Sequence, residues 1–346
     1  MAYFIQEVRA TDKRTLTKVD ALLRQEGIER DANLDYMAAM YDDDYQVVAT
    51  GSCFGNTLRC FAVDHNHQGE GLLNEIVSHL MDVQCTRGNL HLFLYTKPSA
   101  AKFFGDLGFY EIARVPGRLV FMENRRDGFS GYLRELAKTK RDGVSAAIVM
   151  NANPFTLGHQ FLAEEAASAC DTLHLFVVSE DASLVPATVR KRLVAEGVAH
   201  LNNVVLHDCG PYIISSATFP SYFLKDRETV IESQAQLDLT VFARIAENLG
   251  VSIRFVGEEP TSQVTGIYNR IMQESLPSYG IRCVIIPRKQ ADGKPISAST
   301  VRMCLKNEDW ETLKSLVPLT TLAYFESAEA APVLKRIRES EEVIHY

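Results

Sequence analysis

Short apolar runs alternate with helix-like patterns from residue 144 onward. Runs typical of buried strands cover 146–150, 172–178, 204–206, 252–256 and 282–286. Apolar residues recur at helical spacing over 161–169, 187–199, 239–249, 264–274, 299–305 and 310–316. This order predicts an α/β fold with a doubly wound, Rossmann-like parallel sheet, helices on both of its faces and ligands at the carboxyl ends of its strands.

The residues before position 125 follow a different order of elements. Helical patterns cover 13–27, 72–85 and 99–107, and in the first of them Leu16, Val19 and Leu22 share one face. Strand patterns cover 45–53, 58–63, 91–95 and a final pair within 108–122. A turn at Gly55 and Asn56 joins the first two strands. We therefore expect a separate α+β domain at the N-terminus.

A chain of 346 residues is long for one compact core, which indicates two domains. We place the first domain at 1–128 and a linker at 129–143, with a helix over 129–140. The second domain takes 144–346, and its tail from residue 326 is expected to form a charged amphipathic helix.

Composition narrows the class of partner. The net charge of −8 argues against general binding to nucleic acid or to an anionic membrane. No apolar run approaches the ~20 residues of a membrane span, and the charged N-terminus argues against a secretory signal. The seven cysteines are scattered without a C-x-x-C pair, which argues against a disulfide framework and a zinc site. A cytoplasmic protein without protein-ligated metal is expected.

The strongest chemical signal follows the first strand of the second domain. Here the chain reads Asn153-Pro154-Phe155-Thr156-Leu157-Gly158-His159, and a helical pattern begins directly afterwards. A strand-to-helix junction directs backbone N–H groups and the positive end of a helix at an anion. Thr156 and His159 can donate hydrogen bonds, and Gly158 permits close approach. The alternative for His159 is a helix cap or core filler, and Asn153 and Pro154 also suit a plain turn.

A second segment repeats this arrangement near the C-terminus. Residues 296–302 place the hydroxyls of Ser297, Ser299 and Thr300 before Arg302 at the start of a short helix. Arginine suits bidentate phosphate contact, although the hydroxyls could simply cap the helix and Arg302 could be solvated. Two such helix N-termini suit a triphosphate, which predicts a nucleotide-handling enzyme.

These motifs resemble known families. Residues 156–159 resemble the T/H-x-G-H signature of the nucleotidyltransferase superfamily, and residues 296–302 resemble its second phosphate-binding motif. Longer blocks at 153–160, 215–223, 256–260 and 286–289 together resemble the citrate lyase ligases. The resemblance extends over the whole length, because such ligases also carry an acetyltransferase-like domain in front.

The resemblance implies a reaction and its partners. ATP and acetate would give acetyl-adenylate, with Mg²⁺ held mostly by the phosphates and water, and the acetyl group would pass to a CoA-like thiol on the citrate lyase acyl-carrier subunit. Thr156, His159 and Arg302 would be catalytic, and Gly257 and Glu258 would border the nucleotide. The block at 215–223 suggests a pocket for a small carboxylate, although it also reads as a serine-rich loop.

The first domain resembles the GCN5-related N-acetyltransferases. Gln68, Gly69 and Gly71 precede the helix at Leu72 as that family's pyrophosphate loop does, and residues 101–111 resemble its C-terminal motif. Leu73 departs from the family, which prefers Gly or Ala there. A short loop of this kind, taken alone, is more often a plain turn. By this resemblance the domain would hold the prosthetic group of the carrier.

Three other functions stay open at this point. One is an adenylyltransferase of the pantetheine-phosphate type, which shares the fold of the second domain. Another is a protein N-acetyltransferase whose second domain only regulates it. The third is a nucleotide sensor without catalysis.

Overall fold

The computed structural model describes residues 3–179, 183–213, 219, 222, 224, 227–258 and 263–340, without the side chains of 227 and 263–265. The chain forms two compact units. The first contains Met1–Phe129 and Pro220–Ser233, and the second contains Ser130–Phe219 and Gln234–Tyr346. The roles assigned above to 1–128, 129–143 and 144–346 do not follow from this division and stay predictions.

The first unit is built on one mixed sheet. Its strands are β1 (Phe4–Glu7), β2 (Tyr36–Tyr41), β3 (Val47–Phe54), β4 (Thr57–Val63), β5 (Phe93–Thr96), β6 (Tyr110–Val115) and β7 (Leu119–Glu123), and its helices are α1 (Lys13–Gln25), α2 (Leu72–Thr86) and α3 (Ala101–Asp106). The strand order is β1-β2-β3-β4-β5-β7-β6, and β4 and β5 run parallel while the other neighbours are antiparallel. One face packs on α1 through Val19 and Leu22, and the other packs on α2 through Ile76 and Leu80. The sheet therefore has two apolar faces.

The second unit has the parallel sheet that the sequence predicts. After α4 (Gly128–Ala137), the strands are β8 (Ser145–Met150), β9 (Thr172–Val177), β10 (Val204–Asp208), β11 (Val251–Gly257) and β12 (Arg282–Ile286). Their order is β10-β9-β8-β11-β12, and all neighbours are parallel. The order reverses at β8, so the carboxyl ends of β8 and β11 form the switch point where open α/β sheets bind ligands.

Helices connect and follow these strands. They are α5 (Leu157–Ser168), α6 (Ala187–Gly197), α7 (Arg227–Leu249), α8 (Gln263–Ser275), α9 (Ala298–Lys306), α10 (Trp310–Lys314), α11 (Leu319–Glu326) and α12 (Ala331–Glu339). The hairpin of β13 (Gln290–Ala291) and β14 (Lys294–Pro295) lies between β12 and α9. The core of the unit gathers around Ile148, Phe155, Leu175 and Phe325, which are all at most 1% exposed.

Most predicted elements are confirmed, with shifted bounds. The linker helix expected over 129–140 is α4, and the tail helix expected from residue 326 is α12, although residues 341–346 lie outside the described range. The sequence patterns missed β1, β2 and α11, and the helix expected at 239–249 begins at Arg227 instead.

Two buried histidines join neighbouring strands of the second unit. His174 of β9 and His207 of β10 form a hydrogen bond between Nδ1 and Nε2 of 2.9 Å, and His207 stacks on Phe176. Burial lowers the pKa of both imidazoles to about 4, with Arg141 adding to the effect at His174. The neutral forms are therefore the ones compatible with the fold.

This pair should make the protein less stable in acid. A folded pKa below the unfolded value near 6.5 means that the unfolded chain binds more protons between about pH 6.5 and 4, so stability falls as the pH falls through that window. We expect a loss on the order of 3 kcal/mol for each histidine across it. Urea unfolding at several pH values measures this. A His174→Leu/His207→Phe variant should show a shallower slope, and an unchanged slope would contradict the account.

Candidate functional site

The predicted motifs meet at the switch point of the parallel sheet. Residues 153–159 connect β8 to α5, and residues 296–300 connect β14 to α9. The two segments touch: a methyl group added at Gly158 would lie 3.2 Å from the carbonyl oxygen of Ile296. We call residues 156–159 and 297–300 together the two-helix cradle. Two helix N-termini therefore open at one place.

The start of α5 is closed by a reciprocal capping arrangement. Thr156 is the N-cap, and its hydroxyl oxygen accepts a hydrogen bond from the His159 backbone N–H at 3.3 Å. The backbone N–H of Thr156 donates to His159 Nδ1 at 3.1 Å, and the Thr156 hydroxyl lies 2.9 Å from the same nitrogen. Because Nδ1 accepts, we assign the imidazole proton to Nε2. His159 thus presents an N–H donor at Nε2.

His159 is neutral over the physiological range. Burial lowers its pKa to about 4, and the nearby positive charge of Arg288 contributes in the same direction. The ring also stacks on Phe155, with centroids 5.8 Å apart. A fixed, neutral donor at a helix N-terminus is suited to a phosphate oxygen. Sequence reasoning identified the residue but not its tautomer.

The loop before α5 is held by the protein on several sides. The side-chain oxygen of Asn153 accepts from the backbone of Val185 at 3.0 Å, and its buried amide nitrogen has no hydrogen-bond partner within the described ranges. Pro154 is buried beside it, and Phe155 is fully buried. Phe155 packs so closely on Gly197 that no side chain could replace that hydrogen. The loop is therefore a positioned element rather than a free turn.

Hydroxyl groups cluster at the start of α9. Ser297 is the N-cap, and its oxygen accepts from the backbone N–H of Thr300 at 3.1 Å. The Ser297 hydroxyl also lies 2.9 Å from that of Ser299 and 2.8 Å from that of Thr300. The capping alternative is thus present in this structure. Ser299 and Thr300 keep solvent access, so both remain available to a ligand.

Arg302 lies deeper than the sequence suggested. It opens the second turn of α9 rather than the first and is 2% exposed, so the alternative of a solvated surface residue is wrong. Its guanidinium donates to the carbonyl oxygen of Asn153 at 2.5 Å, and burial lowers its pKa to about 10. Arg302 therefore ties α9 to the loop before α5. Its direct contact with phosphate stays a prediction.

Arg288 is a site residue whose role the sequence did not reveal. Its Nε donates to the carbonyl oxygen of Glu258 at 2.7 Å, and another guanidinium nitrogen donates to that of Ile296 at 3.2 Å. It thereby joins the end of β11 to the start of α9, and its charge acts on His159. The resemblance of the block at 286–289 drew attention to Arg288, but its hydrogen-bond partners Glu258 and Ile296 lie outside that block.

Gly257 and Glu258 lie at the end of β11. The carbonyl of Gly257 accepts from the side-chain amide of Asn269 at 3.1 Å, and the Glu258 backbone N–H donates to Ile286 at 2.8 Å. Glu258 itself is exposed. Both lie on the strand end that Arg288 connects to the cradle, and their contact with a nucleotide stays a prediction.

The predicted carboxylate pocket cannot be placed. Of the block at 215–223, residues 215–218, 220, 221 and 223 lie outside the described residues. Phe219 and Tyr222 are described, and both are buried. Lys294 is exposed on β14.

The loop expected to bind pyrophosphate in the first unit is exposed. Gly69 and Gly71 have φ of +86° and +83°, and neither would have a neighbour within 4 Å of an added methyl group. Gly71 is the N-cap of α2 and provides no capping side chain. Gln68 is likewise exposed. The loop has the left-handed glycines that close backbone approach requires, and its ligand stays a prediction.

The described ranges contain neither a metal-binding cluster nor a membrane-spanning helix. Within the described residues, no three His, Cys, Asp or Glu side chains are grouped to hold a metal ion. Every helix of the described segments is too short or too polar to cross a membrane.

Replacing Gly158 with alanine should raise the KM for ATP, the nucleotide expected from the sequence, roughly tenfold, which corresponds to about 1.4 kcal/mol of binding free energy. The added methyl would press on the Ile296 carbonyl at 3.2 Å and displace α9 from α5. Initial rates at varied ATP measure the change. Gly266→Ala is the control, since nothing lies within 4 Å of that position. Equal KM values in all three proteins would contradict the proposed contact between the helix starts.

Comparison with known proteins agrees with this architecture. A doubly wound parallel sheet with helix N-termini at its switch point defines a nucleotide-binding class of α/β domain. Residues 145–325 match the family model described as the citrate lyase ligase C-terminal domain. The chain belongs to the citrate lyase ligase family.

The similarity to individual proteins extends beyond that domain. The chain is 40% identical to the [citrate [pro-3S]-lyase] ligase of Haemophilus influenzae over 92% of this chain and 97% of that protein. It is 41% identical to the enzyme of the same name from Klebsiella pneumoniae, over 90% and 93%. Among solved structures, an acetyltransferase of the GNAT family from Staphylococcus aureus matches 36% of this chain and 100% of its own, at 15% identity and a TM-score of 0.30.

Proposed function

We propose that this protein is the ATP-dependent ligase that acetylates the thiol prosthetic group of the citrate lyase acyl-carrier subunit and thereby activates citrate lyase. The observation that carries the proposal is the two-helix cradle, in which the start of α5 with its neutral His159 donor lies against Ile296, directly before the hydroxyl-bearing start of α9. Both relatives are named as ligases that act on citrate lyase, and this indicates citrate lyase as the acceptor of the acetyl group.

The first step is attack of an acetate oxygen on the α-phosphorus of ATP. Acetate is already ionised at neutral pH, so this step needs no protein base. The new P–O bond gives acetyl-adenylate, and pyrophosphate leaves with the electron pair of the broken bond. The protein contributes by positioning the reactants and by placing donors where charge grows.

The cradle divides this work between its two halves. His159 donates from Nε2 to an oxygen of the α-phosphate, Thr156 fixes the His159 ring through Nδ1, and Ser299 and Thr300 receive the departing pyrophosphate. Arg302 holds the Asn153 carbonyl and so keeps the two halves together, and its charge also favours the anionic ligand. Within the described ranges, no group of His, Cys, Asp or Glu side chains could hold a metal ion. Mg²⁺ would therefore be ligated by phosphate and water, and it would neutralise phosphate charge there.

The second step transfers the acetyl group to the carrier thiol. The first unit, through the loop at Gln68, Gly69 and Gly71, would hold the phosphate-bearing part of the CoA-like group. The free state of the cysteines suits the reducing cytoplasm in which this reaction would run.

Radiolabelled acetate tests the complete reaction. With holo-carrier and ATP present, label should appear on the carrier in step with formation of AMP and pyrophosphate. Labelling from acetyl-CoA without ATP would instead identify an N-acetyltransferase. Adenylylation of pantetheine phosphate without acetate would identify an adenylyltransferase, and either result would overturn the proposal.

A further inference from the structure

The second unit contains a cavity whose lining does not include the residues of the two-helix cradle. It encloses about 310 Å³ and lies over the carboxyl ends of β8, β9 and β11. Its walls are mostly aliphatic, with Val149, Val178, Leu239 and Met272 among them. This is the size and character of a site for an organic ligand.

Three ionisable side chains enter this apolar space from three elements. Asp238 comes from α7, Arg254 from β11 and Tyr268 from α8. The Tyr268 hydroxyl donates to Asp238 Oδ2 at 3.3 Å, while Oδ1 accepts no hydrogen bond from the described part of the chain. The Arg254 guanidinium lies 4.0 Å from the ring centroid of Phe242, and its Nε lacks a hydrogen-bond partner among the described residues. The cavity therefore holds a carboxyl group with an open oxygen.

The size of the cavity indicates which reactant it takes. A two-carbon carboxylate would fill only a small part of 310 Å³, whereas a flexible organic chain would fill it. Asp238 and Arg254 carry opposite charges, so the cavity as a whole does not select an anion. Aliphatic walls with a few hydrogen-bonding groups suit an uncharged, amide-containing arm.

The cavity also shares elements with the cradle. Leu162, one turn after His159 on α5, lines it, and so does Gly257 at the end of β11. Glu258, the next residue, has its carbonyl bound by Arg288. An arm in the cavity would thus lie against the same helix and strand that position the two-helix cradle.

We propose that this cavity holds the thiol end of the carrier's prosthetic arm and that Asp238 is the general base of the transfer step. The inference rests on the proposed function. The thiol proton passes to the Asp238 carboxylate as sulfur forms its bond to the acetyl carbonyl carbon. The bond between that carbon and the phosphate oxygen breaks, AMP leaves with the electron pair, and the proton is then released to water.

The environment of Asp238 suits this proton transfer. Burial raises the pKa of its carboxyl to about 7, against the opposing effects of Arg254 and Tyr268. A base of this strength is better matched to a thiol with a pKa near 8.5 than an ordinary aspartate with a pKa near 4. The negative charge of Asp238 in turn acts on the thiol of Cys209, which follows β10. Its own pKa is raised by burial, so it remains a neutral thiol.

The variant Asp238→Asn tests the proposal, because it keeps the shape of the side chain and removes the base. Two rates are compared in the full-length protein: acyl transfer from acetate to holo-carrier or to free pantetheine, and acetate-dependent ATP–pyrophosphate exchange. We expect the ratio of transfer to exchange to fall by ~10²–10³. Asp208→Asn, at an exposed carboxylate paired with Lys191, is the matched control and should keep the wild-type ratio.

The pH dependence separates a base from a structural residue. In Asp238→Asn the loss should shrink about tenfold per pH unit toward pH 8.5, since the thiol then ionises without help. In Tyr268→Phe the lost hydrogen bond should move the acid limb of transfer to higher pH, with folding retained.

An unchanged ratio in Asp238→Asn, together with an unmoved acid limb in Tyr268→Phe, would overturn the role of Asp238. Absence of exchange in the wild-type protein would instead remove the proposed function on which the inference rests. The two failures are therefore distinguishable.

Discussion

Replacing His159 with alanine should lower acetate-dependent ATP–pyrophosphate exchange by ~10²–10³, with the fold retained. The side chain holds an Nε2–H donor in place through the hydrogen bond that Nδ1 accepts from Thr156. A preorganised donor stabilises mainly the charge that develops in the transition state. Its removal should therefore lower kcat more than it changes the KM for acetate.

The control for this variant is His200→Ala. His200 belongs to the same unit, but it is about half exposed and pairs with Glu164 at 3.0 Å. It should exchange at the wild-type rate. Thermal unfolding of both variants shows whether the fold is retained, and near wild-type exchange in a folded His159→Ala protein would remove His159 from the phosphate site.

Arg302→Lys should reduce both exchange and stability. In the native protein the buried guanidinium donates to the carbonyl of Asn153. Lysine keeps the charge but lacks the planar, forked guanidinium group that makes this contact. We expect an exchange rate lower by ~10² and a free energy of unfolding lower by about 1–3 kcal/mol. A solvated Arg302, the alternative that the sequence left open, would leave the free energy of unfolding unchanged. The 2% exposure of Arg302 is the reason for the difference.

Exchange kinetics and urea unfolding on the same preparation measure the two effects. Arg338→Lys is a suitable control, because Arg338 is about half exposed and pairs with Glu308 at 3.2 Å. If Arg302→Lys matched this control in both measurements, Arg302 would not connect the helix starts in the working enzyme.

The parallel sheet was predictable because β8 and β9 are buried on both faces and read as apolar runs, and the more exposed strands β10 and β12 are still rich in aliphatic residues. The elements that the patterns missed have identifiable causes. The strand Tyr36–Tyr41 contains Ala and Met, which favour helices as much as strands. The first half of α7 is rich in polar residues, yet Ser233 and Gln234 are almost fully buried. A hydropathy pattern does not predict the burial of polar residues, because tertiary packing determines it.

The candidate site was predictable where its chemistry is local. Thr156 and His159 are three residues apart, as are Ser297 and Thr300, and each pair caps one helix. A single stretch of sequence can show such a pair.

The long-range contacts could not be predicted in the same way. The hydrogen bond from Arg302 to Asn153 spans 149 positions. Asp238, Arg254 and Tyr268 come together only when α7, β11 and α8 pack on one another. The charge of Arg254 within the mostly apolar strand 251–257 was a weak signal that this residue has a role. No neighbouring sequence feature indicated that Asp238 and Tyr268 lie beside it.

Exchange of labelled pyrophosphate into ATP, measured without carrier protein, tests the central claim most directly. The account predicts exchange that requires acetate and Mg²⁺ and continues in the absence of any thiol, because acetyl-adenylate forms reversibly before transfer. Trapping with hydroxylamine should yield acetohydroxamate under the same conditions. Exchange that is absent until holo-carrier is added, or that proceeds equally well without acetate, would contradict formation of acetyl-adenylate at the two-helix cradle.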